Sequence, residues 1–269
     1  MARALELAGR GWGRVAPNPM VGAVIVRDGE VVGEGWHTEY GHPHAEVEAL
    51  RAAGEAARGA TAFVTLEPCS HFGKTPPCSG ALLAAGVRRV VFAAYDPNPR
   101  AAGGGEVLRA AGVEVLGGVM EQEARDQNAV FFHAHSGSDR PFVALKLALT
   151  LDGRIADHAG RSVWITGEES RAEVHRLRAG FDAVAVGAGT ALADDPQLTV
   201  RGPLEPRVPP TRVVFDRTLR LPLESALATT AREVSVMVVA GTVPPAEHAA
   251  ALETRGVRVL RVGDVHDGL

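Results

Sequence analysis

Residues 60–78 read ATAFVTLEPCSHFGKTPPC and combine an apolar strand with a cysteine-containing loop. The β-branched and aromatic residues in this stretch are typical of a buried strand, which Glu67-Pro68 ends. Pro76-Pro77 lie directly before Cys78, so we expect a helix to begin there. This strand–loop–helix unit brings two cysteines to the ends of neighbouring elements.

Alternating helix and strand patterns surround this unit and predict an α/β domain with three layers, α/β/α. Asp28-Gly29 favours a type I′ hairpin turn between two strands. The predicted strands are 20–26, 30–36, 60–66, 87–94 and 113–116. The predicted helices are 3–11, 44–57, the segment after Pro77, the segment after the glycine-rich turn 103–105, and 121–135.

Small, polar and turn-forming residues at 136–141 indicate a domain boundary. We therefore expect one domain over 1–137 and a second over 141–269. Strands alternate with helices again in the second half, which predicts a mainly parallel sheet. Its predicted strands are 142–149, 183–186, 212–215, 234–239 and 257–262, and its predicted helices are 168–179 and about 246–255.

The composition restricts the partners that the chain could have. The 269 residues carry a net charge of −4, which argues against a dedicated nucleic-acid binder. No apolar run approaches the roughly 18 residues of a membrane span, so no membrane partner is expected. The first residues lack the apolar core of a signal peptide, which predicts a cytoplasmic location.

Three separated residues form a candidate metal site. His44 lies with Glu46 at a predicted helix start, and we expect Cys69 and Cys78 near helix starts as well. One imidazole and two thiolates suit Zn²⁺ and leave a fourth position for water. Alternatives are a disulfide, two buried apolar cysteines, or a closed structural site with His71 as the fourth ligand.

The carboxylate of Glu46 adds a reason to expect catalysis at this site. Zinc lowers the pKa of its bound water toward 7, and a nearby carboxylate can take that proton and deliver it to a leaving amine. Zinc deaminases carry the signature H-x-E followed by P-C-x-x-C. The first part matches here, whereas eight residues separate Cys69 from Cys78.

Several longer stretches resemble the bifunctional deaminase/reductase family of riboflavin biosynthesis. They are 16–22 (APNPMVG), 42–46 (HPHAE), 67–78 (EPCSHFGKTPPC), 146–154 (KLALTLDGR), 162–166 (SVWIT), 177–179 (LRA) and 187–201 (GAGTALADDPQLTVR). The resemblance implies a cytidine-deaminase-like domain that deaminates 2,5-diamino-6-(5-phosphoribosylamino)pyrimidin-4-one. It also implies a dihydrofolate-reductase-like domain that uses NADPH to reduce the ribosyl side chain.

The resemblance further implies roles for particular residues. Asn18 and His37 would contact the pyrimidine or ribose, although Asn18 between two prolines could also be only a turn former. The cations and hydroxyl of His71, Lys74 and Thr75 suit a phosphate, although Lys74 could also be merely solvated. Ala148, Trp164, Thr190 and Asp194 would contact NADPH. Lys146, Ser162, Arg178, Leu198 and Arg201 would hold the reductase substrate; the two arginines suit a phosphate by bidentate pairing.

The sequence ends before the Glu-Gly-Gly region expected of this family, so we expect an incomplete reductase domain with weak or absent NADPH oxidation. An incomplete sheet would expose an edge strand, which favours a homo-oligomer. Three other functions stay open: a deaminase with an inactive reductase-like domain, a tRNA base deaminase, and a non-catalytic module that binds a flavin precursor.

Overall fold

The computed structural model describes residues 1–73, 76–160 and 165–263. Contacts divide the chain into two compact units, Met1–Lys146 and Leu147–Leu269. The expected domain limits, 1–137 and 141–269, remain a prediction. None of the helices in the described ranges is long and apolar enough to cross a membrane.

The first unit contains a five-stranded sheet with the order β2-β1-β3-β4-β5. Strand β1 is antiparallel to both its neighbours, whereas β3, β4 and β5 run parallel. The strands are β1 (Gly22–Arg27), β2 (Glu30–Trp36), β3 (Thr61–Leu66), β4 (Arg89–Ala94) and β5 (Glu114–Leu116). Asp28 and Gly29 both have positive φ, which confirms the type I′ hairpin.

Helices cover both faces of this sheet, as the predicted three-layer arrangement requires. The helices of this unit are α1 (Ala2–Ala8), α2 (Ala45–Ala53), α3 (Cys78–Ala84), α4 (Gly104–Ala110), α5 (Glu121–Gln127) and α6 (Ala129–Ala134). Ala49, Leu82 and Leu108 place α2, α3 and α4 in one core with Ala23 and Ile25. Helix α1 packs against the other face of β1, and α5 and α6 against the ends of β3 and β4.

The second unit contains a four-stranded, wholly parallel sheet, which confirms the predicted strand direction. Its strand order is β6-β7-β8-β9. The strands are β6 (Ala183–Gly187), β7 (Thr211–Phe215), β8 (Val236–Ala240) and β9 (Val257–Arg261); the helices are α7 (Glu168–Arg178), α8 (Ala188–Asp194), α9 (Ala226–Thr229) and α10 (Ala246–Thr254).

Two predicted elements are wrong in detail. The expected strand 142–149 is neither strand nor helix, and most of its apolar side chains are exposed. No strand in the described part of the chain pairs with it, and a strand is stable only when a neighbour satisfies its backbone. The expected helix 121–135 is interrupted at Asn128, whose side-chain amide accepts a hydrogen bond from Met20 N–H and donates one to the Met20 carbonyl.

Candidate metal centre and surrounding cavity

Three candidate ligands converge from three different elements of the first unit. His44 is the N-cap residue of α2, Cys69 lies in the loop after β3, and Cys78 is the first residue of α3. The His44 Nδ1 atom lies 3.7 Å from Cys69 Sγ and 3.2 Å from Cys78 Sγ. Only one of the two cysteines therefore begins a helix; the expectation that both lie near helix starts is wrong for Cys69, which a loop carries.

The donor set fits zinc. All three donor atoms lie within 4.8 Å of one another, and both thiols are free. A tetrahedral zinc site with ordinary Zn–S and Zn–N bonds holds its donors about 3.6 Å apart. Within the described residues, this is the one group of potential metal ligands, and His71 is exposed outside it. Three protein ligands leave one coordination position for another molecule.

Hydrogen bonds between the ligands prepare the site for a cation. The Cys78 thiol and then His44 lower the pKa of Cys69 to about 4, against the opposing effect of burial. The hydrogen bond to Cys69, together with burial, raises the pKa of Cys78. The two thiols thus shift each other's pKa in opposite directions, and binding of a metal, which takes cysteine as thiolate, would release protons from the pair.

Glu46 is a buried carboxyl group beside these ligands. It lies in the first turn of α2, its side chain is almost inaccessible at 4% exposure, and it lines the same cavity as His44 and Cys69. Burial is the main cause that raises its pKa, and the positive charge of His44 opposes the shift. A buried carboxyl with a raised pKa is suited to exchanging protons near neutral pH.

A second buried carboxylate, Glu67, has a different role. Its Oε1 accepts hydrogen bonds from the backbone N–H groups of Gly103, at 3.2 Å, and Gly105, at 3.1 Å. These bonds tie the end of β3 to the start of α4, next to Cys69. Glu67 therefore fixes the loop that carries a metal ligand, a role that the sequence analysis did not assign to it.

A cavity of about 230 Å³ opens above the candidate ligands. Three of the residues expected to bind the deaminase substrate, Asn18, His37 and His71, line it. Asp96 and Asn98 line it too and were not predicted; burial raises the pKa of Asp96. They lie in a polar turn, Asp96-Pro97-Asn98-Pro99, just after β4. Side chains in that position reach the carboxyl edge of the parallel strands, a signal that could have identified them.

In the second unit, the two arginines expected to bind phosphate lie near each other. Arg178 ends α7 and donates a hydrogen bond to the Thr199 carbonyl, and the backbone N–H of Arg201 donates to His175 Nδ1. Burial, and then the charge of Arg201, lower the pKa of Arg178. An anion bound beside Arg178 would favour its charged form.

The other residues expected in the second unit lie in varied surroundings. Thr190 and Asp194 are exposed and one helical turn apart on α8. Leu198 is buried in the core, so only its backbone could face a ligand. Lys146 is exposed and Ala148 is partly buried. The predicted site residues Lys74, Thr75, Ser162 and Trp164 lie outside the described residues.

Two family models match the chain, one in each half. Residues 1–94 match the cytidine and deoxycytidylate deaminase zinc-binding region, and residues 141–265 match the RibD C-terminal domain. These matches confirm the expected α/β fold, with a cytidine-deaminase-like domain before a reductase-type domain. They also agree with the zinc-binding chemistry of the three candidate ligands.

Single proteins match both halves of the chain. The riboflavin biosynthesis protein RibD of Aquifex aeolicus is 48% identical over 262 residues, which cover 97% of this chain and 72% of the relative. RibD of Escherichia coli is 55% identical over 202 residues, which cover 75% of this chain and 55% of the relative. The chain thus spans between about half and three quarters of the length of these two relatives.

Solved structures agree with the sequence relatives. RibD of Acinetobacter baumannii matches with a TM-score of 0.80 and 46% identity, over 98% of this chain and 73% of that one. A diaminohydroxyphosphoribosylaminopyrimidine deaminase/5-amino-6-(5-phosphoribosylamino)uracil reductase from Thermotoga maritima matches with a TM-score of 0.79 and 41% identity, over 98% and 80%. The ligand geometry, both family models and these relatives agree, and the chain belongs to the RibD family of riboflavin biosynthesis proteins.

Proposed function

We propose that the first domain hydrolytically deaminates 2,5-diamino-6-(5-phosphoribosylamino)pyrimidin-4-one. The observation that carries this proposal is the convergence of His44 Nδ1 and two thiols beside the buried carboxyl of Glu46. His44, Cys69 and Glu46 line one cavity. The Thermotoga maritima relative is a diaminohydroxyphosphoribosylaminopyrimidine deaminase, which supports the choice of substrate.

The metal and the protein contribute different parts of the chemistry. When bound by His44, Cys69 and Cys78, zinc supplies Lewis acidity that makes water nucleophilic at neutral pH. Glu46 takes a proton from the attacking water at its carboxylate and delivers it to the departing amine, so that ammonia leaves. Burial suits Glu46 to accepting a proton, because it raises the pKa of the carboxyl.

The cavity wall provides for binding and orientation of the substrate. Asn18 and His71 offer polar groups on the wall, and we propose that His71, Lys74 and Thr75 hold the phosphate. Holding the phosphate away from the metal ligands would orient the ring against them, and orientation of this kind contributes to rate.

We propose that the second domain binds NADPH and reduces the ribosyl side chain of the deaminated product. Arg178 and Arg201 would bind the phosphate of that substrate, with Lys146, Ser162 and Leu198 near the same ligand. Ala148, Trp164, Thr190 and Asp194 would contact NADPH. The match to the RibD C-terminal domain supports this assignment.

We also propose partners, an oligomeric state and a location for the protein. The partner would be a phosphorylated pyrimidine and not a nucleic acid or a membrane, the chain would form a homo-oligomer, and its location would be cytoplasmic. The domains would span 1–137 and 141–269.

One preparation of the protein can test both activities. The assay measures zinc content, ammonia release and NADPH oxidation with the same diaminopyrimidinone substrate. We expect one zinc per chain and ammonia release that depends on it. Stoichiometric binding of the substrate without ammonia release would contradict the deaminase proposal. Ammonia release without NADPH oxidation would limit the activity to the first domain.

A further inference from the structure

His37 forms hydrogen bonds within the protein through both of its ring nitrogens. The ring is 3% exposed and stands on the wall of the cavity. Its Nδ1 lies 3.0 Å from the carbonyl oxygen of Pro43, and its Nε2 lies 3.1 Å from the side-chain nitrogen of Asn18. Both nitrogens are thereby engaged by protein atoms.

The chemistry of these partners determines which atom carries the proton. A backbone carbonyl only accepts hydrogen bonds, so Nδ1 must carry the hydrogen and donate it to Pro43. In the neutral ring, Nε2 then has a lone pair and can only accept. The Asn18 amide must therefore donate to it, which orients Nδ2 toward His37 and Oδ1 away from it.

We propose that His37 is a positioning residue that fixes the Asn18 carboxamide so that its oxygen, Oδ1, is offered to the ligand. Asn18 lines the cavity, and its side chain forms no other hydrogen bond with the described residues. His37 then acts on the substrate through Asn18, and not through the direct contact that the family resemblance implies.

This orientation selects the chemistry of the bound group. Oδ1 accepts hydrogen bonds, so the group that faces it must be a donor, such as the N–H of an aminopyrimidinone. An oxo group at the same place would set its oxygen against Asn18 Oδ1, and two acceptors cannot form a hydrogen bond with each other. The identity of the ligand rests on the proposed deaminase function, whereas the orientation of Asn18 rests only on the three protein groups.

The tautomer of His37 can be measured without any enzymatic assay. Long-range ¹H–¹⁵N correlation spectra of the full chain, labelled at histidine and loaded with zinc, distinguish the two neutral tautomers from the imidazolium. His37→Gln assigns the signals. We expect the Nδ1–H tautomer; an Nε2–H ring or an imidazolium would overturn the proposal.

Asn18→Asp tests whether His37 orients Asn18, because this substitution hardly changes the shape of the side chain. A carboxylate cannot donate to Nε2, and Pro43 still requires a hydrogen on Nδ1. We therefore expect His37 to change from the neutral Nδ1–H tautomer to the imidazolium in this variant. Zinc content and melting temperature establish that the variant is folded. An unchanged Nδ1–H ring in a folded variant would show that Asn18 does not depend on His37 in this way.

Steady-state kinetics distinguish a role of His37 in orienting Asn18 from a role in supporting the metal site. His37→Leu removes both hydrogen bonds, and we expect KM for the diaminopyrimidinone to rise about tenfold while kcat and zinc content change little, as when one binding hydrogen bond is lost. Glutamine can donate to Pro43 and accept from Asn18, so His37→Gln should stay nearer the wild type. Loss of zinc with unchanged KM would overturn the proposal. Absence of ammonia release from the wild type would refute only the proposed function.

Discussion

At the scale of single residues, the buried carboxyl of Glu46 is the group proposed to carry the proton in the first domain. Its position in the first turn of α2 follows from the spacing of His44-Ala45-Glu46, because the N-cap residue and the second helical residue lie close together. The metal ligand and the proton carrier therefore move together as parts of the same helix start.

Replacing Glu46 by Gln should abolish proton transfer and leave the metal site intact. The side chains have the same shape, so we expect zinc content and melting temperature to stay equal to or above those of the wild type. General acid–base catalysis contributes about 10²–10⁴-fold, and kcat for ammonia release should fall by that factor. Metal analysis and an ammonia assay check both statements; full activity would exclude the proposed role of Glu46.

The metal ligands were predictable from sequence, but the positioning roles of Glu67, beside Cys69, and of His37, beside Asn18, were not. His44, Cys69, Cys78 and Glu46 form a motif because the chemistry requires those residue types. Glu67 and His37 act through backbone amides and a backbone carbonyl. Backbone groups are present at nearly every residue, so no residue pattern reveals which of them a side chain will bind.

At the scale of elements, glycine allows α2 to lie directly on β2. A Cβ atom at Gly35 would stand 2.4 Å from the Ala49 backbone nitrogen and 2.5 Å from the Ala45 carbonyl oxygen. These are backbone atoms of a helix and cannot move alone. The close contact sets the depth of α2, and with it the position of the candidate ligand at its N-cap.

Gly35→Ala should therefore displace α2. We expect the first domain to lose about 1–3 kcal/mol in its free energy of unfolding, as in other overpacked cores, and to bind zinc more weakly. Thermal unfolding and competition with a chelator measure the two effects. Gly80→Ala is the matched control, since a Cβ there has no neighbour closer than 3.9 Å and alanine favours the helix. Equal stability of the two variants would contradict the packing argument.

Arg212 has a comparable structural role in the second domain. It is wholly buried on β7 and donates hydrogen bonds to the carbonyl oxygens of Gln197, Thr230 and Val234, and to the Thr230 hydroxyl. Burial is the main cause that lowers its pKa. One side chain thus satisfies acceptors from two segments, the loop at Gln197 and the turn from Thr230 to Val234, that meet at the start of the strand.

Arg212→Met should leave those acceptors unpaired in the core. We expect a loss of about 3 kcal/mol or more in the free energy of unfolding of the second domain, because each unsatisfied buried acceptor is costly. Arg258→Met, at an exposed position of the same sheet, should change the free energy by less than about 0.5 kcal/mol. Urea unfolding of both variants makes the comparison; similar midpoints would show that the buried bonds contribute little.

Periodicity predicted the elements where local pattern and tertiary contacts agree. Strands β1 to β9 follow from their apolar runs, and the hairpin follows from Asp28-Gly29. The pattern failed at 142–149, where an apolar run has no pairing strand in the described part of the chain, and at Asn128, where a side chain binds Met20 across 108 positions. Both failures depend on distant partners, which a local pattern does not contain.

At the scale of the whole molecule, two units with separate cores bind different ligands in the proposed function. The apolar cores around Ala49 and around Val214 share no residue. The candidate metal ligands all lie in the first unit, and the residues proposed to bind NADPH lie in the second. Each ligand should therefore stabilise only the unit that contains its site.

Calorimetry of the zinc-loaded chain tests this separation. A ligand that binds only the folded form stabilises it by about 2.7 kcal/mol at a concentration one hundred times its Kd. We expect two unfolding transitions, because multidomain chains seldom unfold in a single step. Removing zinc with a chelator should lower one transition by several degrees, and NADPH should raise the other.

Glu46→Gln, which retains the three ligands, should respond to the chelator as the wild type does. One transition that both treatments move would show that the units unfold together. If NADPH leaves unmoved the transition that does not respond to the chelator, the second domain does not bind the cofactor.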